Sequence, residues 1–410
     1  MSALHHEPAV LSNSQIGNRR LSVRAYRTWA ELDQYLPDWN RLLQSSPRSS
    51  IFMTPEWLAS WWHSFGANKE LFALVFHDDD NNIIALALMY AEQQRFGGLS
   101  LRVLRFLGAS SGDSDALDFI VAPGYEQACA KAFLDWLTHQ KTFDICALET
   151  LPENSAIAQH ITTLARGSNR KLYPEAAPNF FIDLPATWTD YLQTLAPAFR
   201  PLLTRYPRRL HSRYQVSFNR CEDESDLASG LDALFALHQM RWTGRGEPGA
   251  FSSAERRDFY LRMAHAFQAR GWLEFWLLKL DGEIAAAQFC FRYRDTVYLL
   301  QEGFHPKYAA EKVGYALRAH VLQQLIQSGA KRYDFLGGAD TYKAKYGARC
   351  GTYITLSLAL SARGRFCLAL RRRIQQLKHS IKRILPARVV AASRGNQTRS
   401  PEKQFAGSQE

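Results

Sequence analysis

Several stretches of this 410-residue chain combine residue types that can do chemistry. Glu311-Lys312-Val313-Gly314-Tyr315-Ala316 follows an extended run ending at Gly303 and opens a helical pattern. Gly314 there lets the backbone approach a phosphate-bearing ligand, while free N–H groups and the helix dipole supply positive potential. The plainer reading is a loop entering a helix. Next comes Tyr333-Asp334-Phe335-Leu336-Gly337-Gly338-Ala339-Asp340, then Thr341-Tyr342-Lys343 and Tyr346. A strand that ends in two glycines opens space at the carboxyl edge of a sheet, where ligands commonly sit. Gly338, Asp340 and Lys343 are therefore candidates for substrate contact, Lys343 through a phosphate or carboxylate. A solvated lysine and a capping Asp340 would explain the same residues. Arg241, Trp242 and Arg245 flank the glycine-bearing residues 244–249. Such a loop could close over a substrate, with Trp242 as a floor and the arginines as anion grips. Equally, Trp242 could cap a helix into the core. For proton transfer the candidates are Glu302, at a strand end, and Asp113 or Asp115 in a Gly/Ser-rich loop whose residues also suit plain turns.

Elements must hold these residues in place, and periodicity supplies them twice. A strand over residues 21–29 and a helix through 38–44 are followed by a helix over 55–65, with Pro55 at its start and Trp57, Leu58, Trp61, Trp62 and Phe65 on about one face. Residues 71–77 and 83–90 alternate as strands around the turn Asp78-Asp79-Asp80-Asn81-Asn82, which predicts a hairpin. About 200 residues later, 272–280 and 284–293 repeat the arrangement around Asp281-Gly282, after a strand at 214–219 and helices at 227–240 and 254–270. Each half continues alike: strands 101–107 and 296–303, helices 126–138 and 314–327, strands 143–149 and 332–336. Strands, one crossover helix and a further strand give a mixed α/β sheet with helices on its faces. The spacing fits two copies of one domain, over residues 21–185 and 186–362, after a leader at 1–20.

The composition, 46% hydrophobic and 22% charged, is that of a folded protein long enough for two cores. The six cysteines form no metal-ligand spacing and read as reduced packing residues of a cytoplasmic protein. His5-His6 and the remaining histidines match no metal motif, so no catalytic metal is expected. No apolar run approaches a membrane span or a signal peptide. The net charge of +11 is concentrated: residues 363–410 hold 12 Lys/Arg against 2 Glu, leaving 38 basic and 37 acidic residues before them. With a nearly neutral body, nucleic acid is disfavoured as a partner.

Several motifs, in order, resemble the FemAB-like branch of the GNAT superfamily, including CelD-type acetyltransferases associated with cellulose biosynthesis. They are PEWLASWW, FLGASSGDSDALDFIVAPG, HQMRWTGRGEPGAF, QEGFHPKYAAEKVGYAL and YDFLGGADTYKAKYG, spread over roughly residues 21–360. The resemblance implies two tandem GNAT-like domains and transfer of an acyl group to an amine or hydroxyl acceptor. The donor is acyl-CoA in the acetyltransferases and aminoacyl-tRNA in the peptidoglycan branch; for this chain it points to acetyl-CoA or another acyl-CoA as co-substrate, with a sugar or envelope-glycan precursor as acceptor. A thioester is already activated, so the enzyme must position both partners, remove a proton and stabilise an oxyanion. On this reading Lys312, Val313, Gly314, Tyr315 and Ala316 hold the donor, Glu302 takes the proton and Tyr308 returns one to the leaving thiolate. Glu311 stands where the family's phosphate loop has Arg or Gln. The first half has Pro123-Gly124-Tyr125 at the matching place without a comparable base, and reads as a non-catalytic partner. An aminoacyl-tRNA-dependent transferase and an inactive scaffold for a polysaccharide synthase are the competing readings.

The basic tail has its own pattern. Phe366, Leu370, Ile374, Leu377, Ile381 and Ile384 recur every three or four residues, with Arg371, Arg372, Arg373, Lys378, Lys382 and Arg383 on the other faces. An amphipathic basic helix over residues 366–385 can lie on an anionic membrane surface, at about 1 kcal/mol per cation, which would put the protein at the inner face of a membrane. It can also pack on the body. Residues 395–410 are polar throughout and read as disordered.

Overall fold

The computed structural model describes residues 14–16, 19–46, 49–168, 170–243, 249–338 and 342–384. In chain order the elements are β1 (Ser14–Ile16), β2 (Arg19–Tyr26), α1 (Leu36–Ser45), α2 (Pro55–Phe65), β3 (Glu70–His77), β4 (Ile83–Phe96), β5 (Leu99–Phe106), β6 (Ile120–Val121), α3 (Glu126–His139), β7 (Ile145–Pro152) and α4 (Ala156–Gly167). There follow β8 (Leu172–Asp183), α5 (Trp188–Thr194), α6 (Arg200–His211), β9 (Val216–Arg220), α7 (Glu224–Thr243), α8 (Ala254–Ala269), β10 (Leu273–Leu280), β11 (Glu283–Tyr293) and β12 (Thr296–Phe304). The last are α9 (Val313–Gln327), β13 (Arg332–Gly337), α10 (Tyr342–Lys345), β14 (Arg349–Ala359) and α11 (Ala362–Ile384).

Both expected hairpins form, β3 with β4 and β10 with β11, because alternating apolar residues are interrupted at the turns. The mixed α/β class and the doubled grammar are as expected. Residues that read as a leader contribute β1, which pairs with β2. Arg19 and Arg20 begin β2, and residues 1–13, 17, 18 and 395–410 lie outside the described residues.

Contacts divide the chain into two compact units. Unit 1 holds the described residues up to Leu58, Gly66–Ala176 and those from Tyr353 onward; unit 2 holds Ala59–Phe65 and Ala177–Thr352. This division follows strand pairing rather than chain order, so it departs from boundaries at 185 and 362. In unit 1, β2, β3, β4 and β5 run antiparallel, β5 pairs parallel with β7 across α3, and β7 is closed by Tyr353–Ala359 of β14. In unit 2, β9, β10, β11 and β12 are antiparallel, β12 pairs parallel with β13 across α9, and β13 is closed by Asn179–Asp183 of β8. The closing strand of each sheet thus comes from the half of the sequence that builds the other unit.

Alternation along the unit 2 strands sends side chains to two layers. Leu278 and Leu280 face the cluster that includes Leu317 and Leu322 of α9 and Leu203 and Leu210 of α6. Phe275 and Phe289 face the other way, Phe289 onto Tyr260 of α8 and Phe275 beside Gly230 of α7. The end of α2 belongs to this unit: Ser64 Oγ donates to Asp258 Oδ2 (2.7 Å) and Phe65 packs on Phe259. In unit 1, Phe72, Trp136 and Phe143 form an edge-to-face cluster under α3. Five cysteines are buried and Cys350 is exposed.

Candidate active site

The parallel pair at the centre of the second sheet stops early, as the β5–β7 pair of the first does after Arg105↔Ala147. β12 and β13 pair only from Thr296↔Arg332 to Tyr298↔Asp334, although β12 continues to Phe304 and β13 to Gly337. Just there the register between β11 and β12 slips, Phe289 opposing Gln301 and Cys290 opposing Leu299, which leaves Leu300 as the extra residue of a β-bulge. A bulge takes one backbone N–H out of the ladder and re-aims the strand.

β13 turns away by backbone strain. Leu336 sits at φ 62° and Gly338 at φ 115°, the former a costly conformation for a branched side chain. Asp334 Oδ1 accepts from the Leu336 N–H (2.7 Å). The Lys343 ammonium is buried and donates to the carbonyls of Phe335 (3.3 Å), Leu336 (3.4 Å) and Gly337 (2.9 Å). The structure therefore places this predicted substrate ligand under the strand end, where it fixes the turn. Gly338 lies at the same turn; Asp340 is outside the described residues.

α9 begins at the mouth of this opening. Lys312 takes the left-handed conformation (φ 54°, ψ 39°), and its carbonyl accepts from Tyr315 and Ala316 N–H. No acidic residue occupies the first turn. A Cβ at Gly314 would meet only Phe304, at 3.8 Å, so the main chain is approachable there. Val313 and Ala316 point into the core and Tyr315 stacks on Tyr346, so of the predicted donor-binding residues Val313 and Ala316 have only main chain to offer. Glu311 is ion-paired with Arg213 (2.8 Å), which follows α6. The acidic charge at residue 311 is thus compensated by a cation from another element.

Glu302, four residues after Tyr298, forms an ion pair with Arg318 of α9. Arg318 is buried, with Phe335, Tyr342 and Tyr346 rings 5.4, 5.3 and 4.6 Å from its guanidinium. Burial opposes its charge, but the Glu302 carboxylate and the surrounding tyrosines hold its pKa well above the ordinary value. Burial pushes the Tyr346 phenol up, so it stays neutral. Tyr308 donates to Glu283 Oε2 (2.8 Å), the carboxylate that also pairs with Lys307. Burial and then Glu283 raise the Tyr308 pKa. Glu302 and Tyr308 are therefore each committed to a different partner.

On the other face, α7 comes close to β12 because Gly303 lacks a side chain: a Cβ there would lie 3.0 Å from Leu237 Cβ. The next residue, His238, is buried and accepts at Nε2 from Trp242 Nε1–H (2.9 Å). Trp242 is half-buried, and a Cβ at Gly249 would be 3.2 Å from its Cβ. Arg241 lies on α7; Arg245 is outside the described residues. Asp113 and Asp115 are buried in unit 1, in the loop after β5 where Ser114 accepts from Trp57 Nε1–H (2.9 Å).

Sequence reading passed over α6. This helix packs on α9, Phe199 before it meeting Tyr315 edge-on, and exposes Arg205, Arg208 and Arg209 beside Arg213. Their i, i+3, i+4 spacing was available as a signal, but Pro207 inside the helix masked it. Arg318 and His238 were likewise missed. Both look like ordinary helical residues until their burial is known.

Among the described residues no cluster of His, Cys, Asp and Glu could hold a metal ion, and no helix is long and apolar enough to cross a membrane. The family model for the acetyltransferase (GNAT) domain matches residues 198–344. The crystal structure of FemX is similar to this chain with a TM-score of 0.54 at 10% identity, covering 78% of this chain and 95% of that one. A conserved protein of unknown function from Bacteroides thetaiotaomicron VPI-5482 gives 0.50 at 12% identity, covering 79% and 97%. At such identities the likeness is one of fold. No curated protein matches the chain in sequence. The matched stretch lies wholly within unit 2, and the chain carries a GNAT-type acyltransferase fold.

Proposed function

We propose that unit 2 transfers an acyl group from acyl-CoA to an amino or hydroxyl group of a sugar or cell-envelope precursor, as the FemAB-like, CelD-type resemblance suggests. The observation that carries this reading is the coincidence, in one unit, of the strand opening, the bulge at Leu300 and an approachable helix start at Lys312–Gly314. The donor's pyrophosphate would lie on the main chain at the start of α9, with Arg213 and the α6 arginines adding charge. Its pantetheine arm would enter between β12 and β13. The N–H freed by the bulge would stabilise the oxyanion as the acceptor attacks the thioester carbonyl. Glu302, fixed by Arg318, would orient the attacking group and take its proton as the new bond to the carbonyl carbon forms, while Tyr308 would donate a proton to the thiolate released when the C–S bond breaks.

The exposed arginines of α6 also favour a second reading, an aminoacyl-tRNA donor, because they give unit 2 a basic face that the overall charge count conceals. One experiment separates the two. Thermal stability of the purified protein is measured with acetyl-CoA, longer acyl-CoAs, free CoA and charged tRNA, on wild type and on Gly314→Trp. A ligand at 100 times its Kd adds about 2.7 kcal/mol. Stabilisation of wild type alone by a CoA species supports the proposal. Stabilisation by charged tRNA and by no CoA species replaces it with the second reading.

A further inference from the structure

α11 has two apolar faces, and unit 1 covers one of them. Its start is pinned at Asp144: Ser361 Oγ donates to Oδ1 (2.6 Å), Arg363 pairs with the same carboxylate (3.2 Å), and Gly364 passes so close that a Cβ would lie 2.1 Å from the Asp144 carbonyl oxygen. Cys367 and Leu368 then bury against Leu101, Val103, Ile145 and Ala147, and Arg371 pairs with Glu175 (3.6 Å). The other side faces water: Phe366 is 60% exposed, Leu370 37%, Ile374 40% and Leu377 62%. Spaced by four, four and three residues, they make one stripe along the helix.

A continuous stripe of this kind marks an interaction surface. Its surroundings select the partner. Arg363, Arg365, Arg372 and Arg373 are exposed around it, no Asp or Glu occurs in Ala362–Ile384, and residues 363–410 carry 12 basic and 2 acidic residues. Two copies of the stripe pressed together would bring like-charged flanks into contact, which opposes a symmetric dimer. A surface apolar beneath and negative above matches both features. We propose that the Phe366–Leu370–Ile374–Leu377 face seats α11 in the interface of an anionic lipid bilayer, its apolar side chains at the acyl boundary and its arginines among the head groups. The docked face holds unit 1 to the helix, so binding recruits the folded protein.

Vesicle flotation of the full-length protein tests this without any activity assay. Wild type is expected to float with vesicles of phosphatidylcholine mixed with phosphatidylglycerol, weakly with phosphatidylcholine alone, and less as salt rises. Replacing all four residues (Phe366→Ser, Leu370→Ser, Ile374→Ser, Leu377→Ser) retains every charge, leaves the melting temperature unchanged, and lowers partitioning by roughly tenfold or more. Arg372→Glu with Arg373→Glu removes the preference for anionic vesicles. Equal flotation of the four-serine variant, or absence of wild type from the mixed vesicles, overturns the proposal. So does sedimentation showing a wild-type dimer that the serine variant abolishes while neither floats.

Discussion

Unit 1 and unit 2 use the same parts at equivalent places and arrive at opposite results. In unit 1, β4 and β5 pair in unbroken register from Met89↔Phe106 to Phe96↔Leu99, whereas β11 and β12 are bulged. Beside β7, Arg105 ties the first sheet together through Glu92 (2.9 Å), Glu149 (2.6 Å) and Gln94 (2.8 Å). Both parallel pairs are three residues long, ending at Arg105↔Ala147 and at Tyr298↔Asp334, so the difference lies in the bulge and in what spans the gap. α3 begins with its own carboxylate, Glu126, accepting from the Gly124 N–H (2.9 Å), so the anion place is taken. α9 begins with Lys312 and no acid. One carboxylate and one unbulged strand thus distinguish the two units, while the sheet and crossover helix are common to both.

The largest effect that would sharpen this contrast is on the buried arginines. Arg318→Met strands the Glu302 carboxylate and should cost about 3–5 kcal/mol in denaturant unfolding, with loss of transfer activity. Arg105→Met should cost a similar amount while the activity of the folded fraction is unchanged. Equal loss of kcat in both would break the division of labour. Next, Gly314→Trp should lower kcat/KM about 100-fold, about 2.7 kcal/mol, with little change in melting temperature because only Phe304 is near. Gly124→Trp, at φ 85°, should instead cost about 1 kcal/mol of stability and leave kcat/KM as it was. Arg208→Ala with Arg209→Ala should raise KM for acyl-CoA about tenfold at constant kcat, as expected for contacts made equally in ground and transition states.

The smallest effect is on acid sensitivity. His320 of α9 stacks on Phe218 (4.1 Å), and burial lowers its pKa from 6.5. The unfolded chain therefore binds the proton more readily, so stability is full above pH 6.5 and declines as pH falls through the lowered folded value. His320→Phe should remove that part of the acid loss, as read from melting temperatures on either side of this window. His77 is lowered by burial in unit 1, so a matching decline there is expected to persist in the variant.

Local patterns were legible and pairing was not. The hairpins, α2, α3 and α9 follow from alternation, a proline start and helical periodicity. β8 was missed because Pro174 and Pro178 interrupt a run whose exposure alternates weakly. β14 and β8 as closing strands are non-local choices that no window of sequence contains. At the site, Gly314 was readable as a backbone device, since a glycine opens the main chain wherever a helix starts, whereas the left-handed turn at Lys312 was not. Lys343 was not, because a lysine bonded to three carbonyls and a lysine awaiting a phosphate have the same neighbours in sequence. The bulge at Leu300 leaves no mark on residue types at all.

The exchange of closing strands sets a timetable for synthesis. β7 ends at Pro152 and its partner begins at Tyr353, so at about 5–20 residues per second the ribosome needs roughly 10–40 seconds to deliver it. For that interval the nascent first sheet carries an open edge, the kind of surface that recruits chaperones or other chains. The second sheet has no such wait, since β8 emerges before β13. Gene fragments cut between the halves would each encode a sheet without its last strand, so neither half can be shed without opening a sheet edge in the other.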